Sequence, residues 1–94
     1  MKTFEEFDAT LAQARTELDR MRAAEPDDGA IASVHRQLDT LFRLTRDGRT
    51  PTQGEKDQFN FGAIASRELD NYDVADSLFE LASFVMYWGE PARS

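Results

Sequence analysis

The chain is predicted to fold as an all-α, single-domain, antiparallel four-helix bundle, with helices over about residues 4–23, 29–46, 53–70 and 74–88. Three observations predict it. Apolar residues recur at spacings of three and four along most of the sequence, the signature of one-sided helices. Helix-start and helix-stop residues cut that pattern into four pieces. No segment shows the strict apolar–polar alternation of a half-buried strand.

The first helix opens on Thr3, with Glu6 three residues later as in a capping box. Phe4, Phe7, Leu11, Ala14, Leu18 and Met21 then form one apolar stripe, while Glu5, Asp8, Arg15, Asp19 and Arg22 take the other faces. Pro26, Asp27, Asp28 and Gly29 mark a turn, with Asp28 placed to cap the second helix. The second stripe is Ile31, Val34, Leu38, Leu41 and Phe42, with Thr45 at its end. Arg36, Asp39, Arg43 and Asp47 are spaced to pair along the surface, each pair contributing roughly 0.2–0.5 kcal/mol. Gly48 suits a C′ position, and Pro51 prevents continuation.

Thr52 and Glu55 repeat the capping-box pattern at the third helix. Its apolar residues, Phe59, Phe61, Ala63, Ile64, Ala65 and Leu69, wrap more than one face, as in a helix central to a bundle. Gly62 within it would permit a close helix approach, against a propensity cost of about 1 kcal/mol. Asp70, Asn71 and Tyr72 form the next turn, and Asp73 is placed to cap the fourth helix. Val74, Ala75, Leu78, Leu81, Ala82, Val85 and Met86 read as its inner stripe, with Phe79 and Tyr87 at the edges and Trp88 near its end.

Composition bounds what such a bundle can do. Its 94 residues are 40 % hydrophobic with seven Phe, enough for one core. A formal charge of −7 disfavours binding nucleic-acid phosphates or an anionic membrane surface. There is no cysteine, hence no disulfide or thiolate metal site. The opening MKTFEEFDAT has acids where a signal peptide has an apolar run, so a cytoplasmic location is expected.

Catalytic and cofactor patterns are missing. His35 is the sole histidine, and it sits beside the Val34–Leu38 stripe, where a structural role is expected. Ala32 stands three residues before it, so the Glu-x-x-His pattern of a bundle di-iron site is absent. Asp70, Asp73 and Asp76 lack the spacing and glycine of a calcium loop. No catalytic residue, cofactor or metal is assigned, and an enzyme is disfavoured. Phe4, Phe7, Phe42, Phe59 and Phe61 read as core rather than site.

Charge distribution carries the functional information. From Glu68 to Ala92 there are six acids, Glu68, Asp70, Asp73, Asp76, Glu80 and Glu90, and no Lys or Arg. Residues 1–67 are nearly balanced, with twelve acids against ten bases. Asp73 and Asp76 suit the start of a helix, but Glu68 and Asp70 lie at a helix's negative end, where carboxylates are unfavourable. A one-signed patch steers association with a basic partner. Tyr72 within it is either an interface anchor or a cap on the bundle.

The run from His35 to Val85 resembles the small all-helical immunity proteins that neutralise the NAD(P)+-hydrolysing effector toxin of a bacterial type VI secretion system. The residues that carry the resemblance are Arg36-Gln37-Leu38, then Gly62-Ala63-Ile64-Ala65-Ser66-Arg67-Glu68-Leu69-Asp70, with Asp73 shortly after. The first helix matches in length and amphipathicity, and the segment from Gly48 to Gln53 looks longer than in the family. The resemblance implies an inhibitor without chemistry of its own, which occludes the active site of a cognate toxin. On that expectation Glu68, Asp70, Asn71, Tyr72, Asp73 and Asp76 enter or rim a basic, nucleotide-binding cleft. The alternative is an acidic antitoxin or nucleic-acid mimic that sequesters a basic partner. Homodimerisation through Trp88, Phe79 or the first helix is left open.

Overall fold

The structure is a computed structural model that describes residues 3–46, 48 and 51–87. Within them the chain forms five helices and no strand: α1 Phe4–Ala24, α2 Gly29–Leu44, the single turn α3 Gln53–Lys56, α4 Phe61–Glu68 and α5 Val74–Tyr87. Thus α1, α2 and α5 begin where the local signals put them. No described helix is long and apolar enough to cross a membrane.

The caps follow sequence chemistry closely. The Thr3 hydroxyl accepts from the Glu6 N–H at 3.1 Å, and the Asp28 carboxylate accepts from the N–H groups of Ala30 and Ile31 at 2.9 and 3.1 Å. Thr52 and Glu55 form a complete capping box, each side chain bonded to the other's backbone N–H. Each such bond satisfies a helix-start donor that would otherwise lack a partner. Thr45 caps the end of α2, so Gly48 lies beyond C′; its φ of 82° is the left-handed turn that glycine accommodates. The fully buried Thr45 hydroxyl donates to the Leu41 carbonyl at 2.8 Å, so a polar group enters the core satisfied.

The third predicted helix requires correction. Residues 53–70 are not one helix: the chain breaks over residues 57–60 between α3 and α4. The cause lies on α2. Gln37 accepts the Asn60 backbone N–H at 2.8 Å and donates its own amide to Asn60 Oδ1 at 2.6 Å. This reciprocal pair holds Asn60 in a non-helical conformation, φ −130° and ψ 20°. The Asn60 amide is thereby spent on Gln37 and makes no capping bond to α4. The break lets Phe61 turn fully into the core while Phe59 stays half-buried, their rings edge-on at 6.0 Å.

Four helices supply the core. Phe7, Leu11, Ala14 and Leu18 come from α1, and Ile31, Val34, Leu38 and Leu41 from α2. Phe61, Ile64 and Ala65 come from α4, and Val74, Leu78, Leu81 and Val85 from α5. Burying each large aliphatic side chain contributes about 1.5–3 kcal/mol before conformational entropy is counted. Helix α1 packs on α2 and α5, and α4 packs on α5 and α2, so each long helix has two neighbours. Gly62 is where α4 and α5 approach: a Cβ there would stand 2.9 Å from the Ala82 Cβ.

Three side-chain expectations change. Met86 is 61 % exposed rather than part of the inner stripe, because the buried line Val74–Leu78–Leu81–Val85 leaves the residue after Val85 rotated outward. Phe84 takes the inward place on the other flank, stacked on Phe7 at 4.9 Å. Asp39 pairs with arginine across to α1: Arg15 Nε and Nη2 donate to its Oδ1 at 3.2 and 3.0 Å. The expected partners Arg36 and Arg43 do not reach it; Arg43 donates to Thr40 instead. Asp47 and Trp88 lie outside the described residues.

Candidate functional site

The turn between α4 and α5 is held by two buried apolar residues, Leu69 at its start and Val74 at its end. Between them the Tyr72 N–H donates to the Leu69 carbonyl at 2.9 Å, and the Ala75 N–H to the Tyr72 carbonyl at 3.1 Å. With both ends pinned inward and the backbone turning so tightly, the intervening side chains face solvent. Asp70, Asn71, Tyr72 and Asp73 are all exposed, as are Glu68 before them and Asp76 after them. The six residues singled out in the sequence are therefore all exposed in and around this turn.

A second turn joins them there. The Tyr72 hydroxyl donates to Glu25 Oε2 at 2.8 Å, and Glu25 is the C-cap of α1. Asp27 and Asp28 follow, at the turn into α2. The bond to Glu25 raises the Tyr72 phenol above its ordinary pKa; the Glu25 charge, partial desolvation and the Asp28 charge act in the same direction. The phenol thus stays a donor, and Glu25 keeps a partner that carries no positive charge. In the sequence, Pro26, Asp27 and Asp28 read only as a turn and a cap. The signal for their wider role was present in Glu-Pro-Asp-Asp, but nothing local shows that residue 25 meets residue 72.

Elsewhere, several acids have partners within the fold. On α1, Asp8 pairs with Arg46 and Glu17 with Arg20. Asp19 Oδ1 stands 2.5 Å from His35 Nε2, and Asp39 Oδ2 is 3.7 Å from His35 Nδ1 while its other oxygen holds Arg15. The guanidinium carbons of Arg15 and Arg46 each lie 3.9 Å from the Phe42 ring centroid. This polar seam ties α1 to α2 and gives the largely buried His35 a structural setting.

By contrast, Asp27, Glu68, Asp70, Asp73 and Asp76 form no ion pair with any described residue. Asp73 precedes α5, yet its carboxylate accepts no hydrogen bond from the described residues, so the expected cap is not made. These carboxylates are open acceptors, suited to bidentate pairing with arginine. Among the described residues no group of three or more His, Asp or Glu side chains is placed to hold a metal ion.

The model of the Tsi6 family matches residues 2–86. That span takes in the first helix as well as the segment from His35 to Val85. No curated protein and no solved structure matches the chain.

Proposed function

This chain belongs to the Tsi6 family of type VI secretion immunity proteins, and from that premise we propose that it binds a cognate secreted toxin domain and occludes its active site through the acidic end of the bundle. The observation that carries the reading is the contrast in charge pairing. Asp8, Glu17 and Asp39 on α1 and α2 pair with Arg46, Arg20 and Arg15, whereas Glu68, Asp70, Asp73 and Asp76 around the α4–α5 turn form no ion pair with a described residue. Unmatched carboxylates do not help the fold; they favour encounter with a basic surface and can pair there with Arg or Lys.

On this reading Glu68, Asp70, Asn71, Tyr72, Asp73 and Asp76 form the toxin-facing set, with Glu25 and Asp27 extending it. The toxin's cleft would be basic because it binds the phosphates of a nucleotide such as NAD(P)+. A carboxylate then takes the place of a phosphate against the same guanidinium. Inhibition is by occupancy, with no chemistry in the immunity protein, which acts as one domain in the cytoplasm of the producing cell. The short links between successive long helices that pack together support the antiparallel order of the bundle. A nucleic-acid mimic would space its acids along an extended face, whereas these gather around two turns.

The test is charge reversal with Asp70→Lys and Asp73→Lys in one chain, titrated against the toxin domain encoded beside it. We expect weaker binding by at least tenfold and a flatter dependence of affinity on salt. Unchanged affinity and salt dependence would remove the acidic end as the interface.

A further inference from the structure

We propose that a second part of the interface is an apolar ridge on α5, which receives a toxin segment that presents an apolar side chain flanked by Lys or Arg; this rests on the immunity reading above. Among the described residues the exposed large hydrophobics are Tyr72, Phe79 and Met86, at 37, 40 and 61 % exposure. Tyr72 belongs to the acidic turn. Phe79 and Met86 are seven residues apart on α5, hence on one face of the helix. Met86 also borders a groove of about 370 Å³ between α5 and the α3–α4 segment, with Phe59, Ala63, Ala82 and Val85 as its apolar wall and the oppositely charged Lys56 and Asp57 at its α3 end. Ala63 and Ala82 on its wall carry no side chain long enough to fill it. A buried anchor in such a groove is the usual centre of a binding interface.

Charge selects the occupant. Asp76 and Glu80 are exposed beside the ridge on α5 and form no ion pair with a described residue. A second copy packed through α5 would bring a helix with no Lys or Arg to pair with those acids. A basic segment would meet them favourably. From Asp73 to Met86 the helix runs about 20 Å at 1.5 Å per residue.

The experiment uses the full chain and the purified toxin domain encoded by the adjacent gene, with affinity read by calorimetry and association state by sedimentation velocity. One variant carries Phe79→Lys and Met86→Lys; a second carries Asp76→Lys and Glu80→Lys. Both groups of side chains are solvent-exposed, so the melting temperature should hold; if the first variant melts earlier, Phe79→Ser with Met86→Ser replaces it. We expect at least a tenfold loss of affinity in the ridge variant. In the acid variant we expect slower association and a flatter salt dependence. Wild-type affinity in both, alongside a loss in the Asp70→Lys/Asp73→Lys chain, overturns the ridge and leaves the immunity reading standing. A wild-type dimer that the ridge variant dissociates also overturns it, since a second copy would then be the occupant. No binding by the wild-type chain overturns both.

Discussion

The Tyr72 hydroxyl donates a 2.8 Å hydrogen bond to Glu25 Oε2, joining the turn before α5 to the end of α1 across 47 positions of sequence. That bond brings two acidic turns to one end of the bundle. It also holds an exposed aromatic ring in a set orientation, which lowers the entropy lost when a partner packs on it.

Tyr72→Phe should lower stability at neutral pH, and the difference should vanish in alkali. The folded-state phenol has a raised pKa, so its contribution is fully present below the unfolded value near 10.0 and is lost as pH rises through the folded value. Urea unfolding of both chains from pH 7 to 11 checks this. A difference that grows above pH 10 would contradict the assigned bond.

The break between α3 and α4 depends on Gln37. Gln37→Ala removes both bonds to Asn60 and should cost about 1–2 kcal/mol. Hydrogen exchange at the Asn60 amide should accelerate. Gln37→Glu keeps an acceptor for that amide and loses the donor, so it should fall between the two.

Across the α1–α2 seam, Asp39→Ala should destabilise by about 1 kcal/mol, because it removes the carboxylate partner of Arg15 and one of the two carboxylates beside His35. The side chains of Arg15 and Asp39 are 32 and 43 % exposed, so solvent screens their pairing. A double-mutant cycle with Arg15→Ala should return a coupling of about 0.5 kcal/mol.

Gly62→Ala sets two effects against each other. Alanine favours the helix by about 1 kcal/mol over glycine, but its Cβ would lie 2.9 Å from that of Ala82. Both contacting atoms are anchored to helix backbone, so relief requires α4 and α5 to separate. We expect a net loss of about 1–2 kcal/mol. Adding Ala82→Gly should recover most of it, measured as the shift in denaturation midpoint.

Much of the fold was legible because its signals are short-range. Thr3, Asp28 and Thr52 cap helices with their own side chains, and the inward line of α1 follows from the spacing of Phe7, Leu11, Ala14 and Leu18. The exposure of Asp70, Asn71 and Asp73 was legible too, since turn residues between two apolar anchors have little choice. The meeting of Glu25 with that turn and the outward side of Met86 are not legible in the local pattern. In each case the deciding neighbour is remote in sequence.

Local chemistry by itself determined that this protein is helical, where α1, α2 and α5 begin, and that its last quarter carries unbalanced acid. Capping, periodicity and charge act within a turn or two of helix, so one sequence displays them directly. Only tertiary structure decided that Gln37 interrupts the third helix at Asn60 and that Asp39 turns to Arg15. The same holds for Glu25 meeting Tyr72 and for Phe79 and Met86 facing outward. Those outcomes depend on which helices become neighbours, and packing makes that choice among surfaces far apart in the chain.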